Sequence, residues 1–167
     1  TREMLAGATG PLLLITLEQR NQQALVVEIA QNRGVTTYSS EDDRTISLRD
    51  GVLVATRGLG DDLMAASAQR PDTRVSAGGS YPRQYGLLDG NDQAVRLDAT
   101  CSVTARAAES VEIVQIIYET TRIDESCEAN GRRFDNSYWV DRGGQIRKSR
   151  QWVSPTIGSI VIEDLRR

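Results

Sequence analysis

The 167-residue sequence predicts a mainly antiparallel β domain, and three observations carry that prediction. Short runs in which apolar and polar residues alternate recur from end to end, the period of a sheet with one wet face. Two-residue hairpin signals punctuate them, Asp50-Gly51 and Asn130-Gly131 being the strongest. The longest run, Val111 to Ile123, is rich in β-branched and aromatic residues, which fit a pleated surface better than a helix.

The elements follow in chain order. Leu12 to Leu17 is a first apolar run. Leu25, Val27 and Ile29 alternate with Val26 and Glu28 until Asn32-Arg33-Gly34 turns the chain. Val35 to Ser39 and Thr45 to Arg49 flank an acidic turn at Glu41-Asp42-Asp43, and Asp50-Gly51 leads into Val52 to Arg57. Between Leu59 and Ala68, Leu63, Met64 and several alanines follow Asp61 and Asp62, so helix formers behind an acidic first turn predict a short helix. Gln69 to Ser80, with Pro71, Gly78 and Gly79, reads as a loop, and Pro82 confines the next strand to an edge or an irregular ladder.

Leu97, Ala99, Cys101 and Val103 then share one face, and a turn near Glu109-Ser110 precedes the run Val111 to Ile123, expected at the centre of the sheet. Asn130-Gly131 joins this run to Arg132 to Val140, and Asp141-Arg142-Gly143-Gly144 turns into Gln145 to Val153. Pro155 interrupts the ladder, and Ile157 to Leu165 closes the chain with Ile160 and Ile162 facing one way. Residues 1–167 are expected to form one domain, with no internal repeat or linker.

Composition excludes several functions. Twenty basic against 23 acidic residues give a net charge of −3, so no uniform positive field favours nucleic acid. No segment approaches the ~20 apolar residues of a membrane-spanning helix. Histidine is absent, which removes the commonest general base and metal ligand, and with them a Ser-His-Asp triad. Lys148 is the sole lysine, and its neighbour Ser149 points to the other face of a strand, so a Ser-Lys pair is also excluded.

Gly58-Leu59-Gly60 has Leu63 where a dinucleotide fingerprint needs its third glycine. Asp42-Asp43, Asp61-Asp62 and Glu163-Asp164 read as turn, helix-start and exposed strand residues rather than a hydrolytic carboxylate pair. No cofactor and no metal are expected, because oxygen ligands lack calcium-loop spacing and two cysteines alone do not make a zinc site.

Cys101 and Cys127 are the only thiols and fit a disulfide in an exported protein; two buried free thiols in a reducing compartment are the alternative. Spacing does not decide between them, because a simple hairpin about the expected turn does not set the two directly opposite. Tyr138, Trp139 and Trp152 are the candidate ligand-binding aromatics, able to stack on sugar rings or cover acyl chains, with core packing as the competing role. Arg150 and Arg57 are candidates for an acidic sugar or a partner's carboxylate.

The C-terminal third carries the most specific text: Phe134, Asn136, Tyr138-Trp139-Val140-Asp141, a glycine turn, then Ser149-Arg150-Gln151-Trp152 and Pro155. Upstream, Asp50-Gly51 is followed by Thr56-Arg57-Gly58-Leu59 and Asp62-Leu63. Together they resemble the YjbF/GfcB family of envelope lipoproteins encoded with bacterial capsule and exopolysaccharide genes. The resemblance implies a large antiparallel sheet curled into a barrel or half-barrel. It implies no enzymatic activity. It further implies a periplasmic protein held at the outer membrane by a lipid attached upstream of Thr1, with polysaccharide or polysaccharide-export proteins as partners. A half-barrel sheltering a hydrophobic chain is the alternative such a shape allows, and a carboxylate-dependent glycan hydrolase a third.

Overall fold

The computed structural model describes residues 10–67, 69–71, 79–88, 91 and 93–165. Twelve strands form one antiparallel sheet: β1 (Leu12–Leu17), β2 (Gln22–Asn32), β3 (Val35–Ser39), β4 (Thr45–Arg49), β5 (Val52–Arg57), β6 (Leu63–Ala66), β7 (Ser80–Leu88), β8 (Ala94–Ile113), β9 (Ile116–Ala129), β10 (Arg132–Asp141), β11 (Ile146–Ser154) and β12 (Gly158–Asp164). Their order is β5-β4-β3-β2-β1-β12-β11-β10-β9-β8-β7-β6, so two meanders run outward from a pairing of the first and last strands. The sheet curls until its edges, β5 and β6, approach each other, giving a nearly closed barrel. The inward positions of every strand fill it, among them Leu13, Ile15, Val26, Leu63, Cys101 and Ile160.

Side chains draw the edges together at the seam. Thr56 Oγ1 accepts from the Leu63 amide at 3.0 Å, and Arg57 Nη1 donates to the Leu63 carbonyl at 3.1 Å. Asp62 turns the chain between them: its carboxylate accepts from Thr56 Oγ1 (2.8 Å) and the amides of Gly58 (2.7 Å) and Leu59 (3.1 Å). The Thr-x-Gly-Leu-x-x-Asp-Leu text is therefore the clasp of the barrel. Asp62→Ala leaves a buried hydroxyl and two amides without their acceptor, and we expect it to cost about 2–3 kcal/mol, read as a lowered urea midpoint, while Asp62→Asn, which keeps one acceptor oxygen, costs less.

The predicted helix is not formed. Leu63 and Ala65 pair with Leu87 and Gly86, and a ladder partner outweighs the helix preference of alanine and methionine. Asp62 is a buried acceptor rather than a helix start. Of the described elements, only the 3-10 turn Glu18–Arg20 is helical. The expected loop from Gln69 to Ser80 lies largely outside the described residues. Pro82 sits in β7 beyond its pairing with β6, and among the described residues β8 is the strand paired with it.

The turn expected near Glu109-Ser110 occurs instead at Val114-Gln115, both left-handed at φ 44° and 66°. The predicted run Val111 to Ile123 is thus split between two strands. In the β8–β9 ladder Ser110 faces Glu119 but Val103 faces Glu125, so Thr104 is a one-residue bulge. That shift sets Cys101 directly opposite Cys127, where a regular hairpin would have given it Glu128, and the two form a disulfide.

Pairing of β9 with β10 ends at Thr120 opposite Asp141, and the β8–β9 hairpin continues as a two-stranded arm. The arm lies against the outside of the barrel, where Val111 and Ile113 bury with Leu12, Trp139 and Leu165. On β2, Val26 points inward, whereas Leu25, Val27 and Ile29 point out and are 50%, 51% and 57% exposed.

Candidate functional site

The five aromatic and basic candidates are distributed over the barrel rather than gathered. Tyr138 points inward, fully buried, and its hydroxyl accepts from Arg83 Nη1 at 3.3 Å. Trp139, next in the strand, faces outward under the arm. Its indole N–H donates to Glu109 Oε1 at 2.9 Å, and the Arg122 and Lys148 cations lie 5.2 and 5.7 Å from the ring centroid. Trp152 is half-buried at the opposite end, stacked on Phe134 at 4.2 Å with Tyr85 edge-on to both rings. Arg150 lies outside, ion-paired to Glu18 at 2.8 Å, and Arg57 holds the seam.

The structure assembles a different cluster inside the barrel. Arg83 is 2% exposed and Glu125 fully buried, and their charged atoms are 2.9 Å apart. Glu125 also accepts from the Tyr81 hydroxyl and from Asn136 Nδ2 at 2.6 Å, while Asn136 Oδ1 accepts from the Trp152 amide at 2.7 Å. Arg83 Nη2 donates to the Gln69 carbonyl at 2.6 Å. Gln151 spans the barrel, accepting from the Leu53 amide (2.8 Å) and donating to the Gly51 carbonyl (2.9 Å). Gly51 is at φ 81°, and a Cβ there would meet Ile146 Cδ1 at 2.9 Å, so the Asp-Gly turn packs directly on β11. The C-terminal motif residues Asn136, Tyr138 and Gln151 therefore connect strands inside the barrel. Glu125 was legible as a charge in phase with the apolar Ile123 and Cys127, an inward position a carboxylate occupies only when paired. The two sulfurs beside it are bonded to each other and offer no thiolate to a metal.

Burial raises the tyrosines of this cluster. Tyr85 is pushed up to about 12, and Tyr81 and Tyr138 are raised as well, desolvation leading in each case and Glu125 adding to it. Folding energy held by keeping these phenols neutral is fully present below pH ~10, the unfolded value, and is lost as pH rises towards the folded values. We expect phenolate absorbance from Tyr81, Tyr85 and Tyr138 to rise only together with loss of native circular dichroism.

Two of the surface depressions have linings that suggest a ligand. At the end carrying the turns at 33–34, 50–51 and 142–145 lies a polar mouth of about 420 Å³, where Thr36, Ser149, Gln145 and Asp164 surround Leu48 and Ile162. Asp164, expected as an exposed strand residue, is 3% exposed and accepts from Gln145 Nε2. Arg70 bridges the rim, donating to the carbonyls of Asp50 (3.2 Å) and Gly144 (2.7 Å). Hydroxyl, amide and carboxylate groups over an aliphatic floor are chemically suited to the hydroxyls and C–H faces of a sugar. At the other end, the first half of β2 parts from the β3–β4 turn. A cleft of about 710 Å³ opens there over Ile15, Leu17, Val26 and Leu59, with Glu41 and Arg44 at its rim, a lining suited to an alkyl chain.

Residues 1–165 match the family described as group 4 capsule polysaccharide lipoprotein gfcB, YjbF. The chain belongs to the YjbF family. Among the relatives of this YjbF-family chain is the uncharacterized lipoprotein YjbF of Escherichia coli strain K12, 28% identical over 142 residues. That alignment takes in 78% of this chain and 64% of the relative, so the chain spans under two-thirds of that protein's length. The crystal structure of the hypothetical lipoprotein YmcC from Escherichia coli K12 superposes with a TM-score of 0.87 at 17% identity, over 99% of this chain and 88% of that one. The YjbF-family barrel is thus shared at a sequence distance where only the fold is compared.

Proposed function

We propose that this chain is a non-catalytic accessory protein of capsule or exopolysaccharide export or assembly. It acts in the periplasm, held at the outer membrane by a lipid upstream of Thr1, and contacts the glycan or the secretion machinery. The observation that carries the reading is the family match across residues 1–165, to a family of capsule-polysaccharide lipoproteins. The polar mouth supports it with groups able to exchange hydrogen bonds with sugar hydroxyls. A hydrolytic role draws no support from Glu125, whose oxygens are engaged by Arg83, Tyr81 and Asn136 deep in the barrel.

Deleting the gene is expected to lower surface polysaccharide while polymer synthesis continues; unchanged surface polysaccharide would remove the reading. The cleft over Ile15 and Leu17 favours a second one, a carrier that shelters an acyl chain. Native mass spectrometry of protein purified from cells separates the two: a co-purifying lipid of fixed mass supports the carrier, and its absence supports the glycan or machinery contact.

A further inference from the structure

The outer surface of the barrel is divided. Across β8, β9 and β10 the outward positions include Asp98, Glu128, Arg122, Asp124, Arg133 and Asp135, an ordinary charged wall. Across β1 to β4 the outward positions are read from the register. Leu12 and Leu14 face Val27 and Leu25, Val27 faces Ser39, Ser39 faces Thr45, and Thr37 faces Ser47 with their hydroxyls 2.9 Å apart. Thr16 with Gln23 and Val35 with Arg49 complete the rows. Arg49 is the one charge in these rows, and Glu28, between Val27 and Ile29 at the β2 bulge, is an exposed acid of the same strand.

Leu25, Val27 and Ile29 stand out from this wall, each at least half exposed, and continue the apolar cluster of Leu12, Leu14, Ile113 and Leu165 beneath the arm. A contiguous exposed aliphatic stripe, in rows otherwise mostly of serine, threonine and glutamine, marks a surface that meets an apolar phase. The direction of the chain says which. Leu12, where β1 begins, pairs directly with Val27, so whatever precedes the barrel leaves it beside the stripe.

We infer that this wall, β1 to β4 centred on Leu25, Val27 and Ile29, rests on the lipid bilayer to which the chain is tethered, its aliphatics entering the headgroup–acyl boundary and its serines and threonines meeting the headgroups. The inference rests on the lipoprotein reading above, and the chain enters the barrel at Leu12, beside this wall. The arrangement resembles an interfacial helix in its physics: a modest apolar area, with a lipid anchor as the second signal. It turns the charged wall of β8 to β10 towards the aqueous phase.

The test uses the folded chain tethered through an N-terminal hexahistidine to vesicles of phosphatidylethanolamine and phosphatidylglycerol containing a nickel-chelating lipid. Because both native cysteines are joined, single variants Val27→Cys and Asp135→Cys take an environment-sensitive dye selectively. The expected result is a blue shift of the Val27 dye on tethering and no shift at Asp135. A Val27 dye that reports water on the vesicle overturns the inference. So does a dye that is buried without vesicles in a concentration-dependent way, which would mean that a second copy covers the stripe.

A Leu25→Ser, Val27→Ser, Ile29→Ser variant keeps the inward pattern of β2. It is expected to weaken untethered vesicle association at least about tenfold; unchanged association counts against the inference. The two readings fail separately. Protein from cells that carries no lipid removes the lipoprotein reading. Lipidated protein whose Val27 dye stays in water removes only the inference.

Discussion

Glu125→Ala is expected to destabilise the barrel by about 3–5 kcal/mol, the range for removing one partner of a buried ion pair. The substitution leaves the Arg83 guanidinium, 2% exposed, with uncharged partners such as the Gln69 carbonyl and the Tyr138 hydroxyl. It also frees the Tyr81 hydroxyl and Asn136 Nδ2 at once. The informative companion is Arg83→Met with Glu125→Leu, which removes both charges and fills the space. Because paired burial of charge is itself costly, the double variant should recover most of the single variant's loss. Urea unfolding of the three proteins measures the coupling, and equal losses in single and double variants would show that Glu125 acts through volume alone.

Opening the Cys101–Cys127 bond is expected to cost about 3–4 kcal/mol, from the entropy returned to an unfolded chain by releasing a loop of this size. The sequence separation is 26, and both sulfurs are buried, so the folded barrel should resist reductant until it opens. For a domain of this length that corresponds to a melting shift of about 10 °C. A Cys101→Ala, Cys127→Ala variant and the reduced wild type should fall together; a variant as stable as the oxidised protein would show that the bulge and ladder fix the register alone. Cys127 lies two residues from Glu125 in the chain, so the two experiments probe neighbouring groups, and their costs are not expected to add.

Most strands were legible because their signals are local. Asp50-Gly51 and Asn130-Gly131 take the left-handed pair of angles their residue types favour, and the hairpins fall there. Val114-Gln115 takes the same geometry without either residue type, so the turn was sought five residues too early. Reading Leu59 to Ala68 as a helix failed for a different reason. Alanine and methionine state a preference about an isolated segment, whereas Leu63 and Ala65 answer to Leu87 and Gly86, more than twenty residues away. The inner cluster was hidden by the same distance: Arg83 lies in a stretch with weak pattern, and nothing nearby names Glu125 as its partner. Trp139 and Tyr138, adjacent in sequence, show what alternation alone fixes. It sends them to opposite faces but does not say that an arm from β8 and β9 will cover the outer one.

The pairing of β1 with β12 has a consequence for how the molecule comes to exist. Each meander can zip from neighbour to neighbour, but Leu13 meets Asp164 only once all twelve strands have been made, the most distant strand pairing in the sheet. Until then β1 offers one side of its backbone to any passing strand, as an open edge does. A barrel made from its N-terminal strand onward therefore stays incomplete until β12 has been made and then closes in a single late step, whose rate should govern both its yield and its tendency to pair with copies of itself.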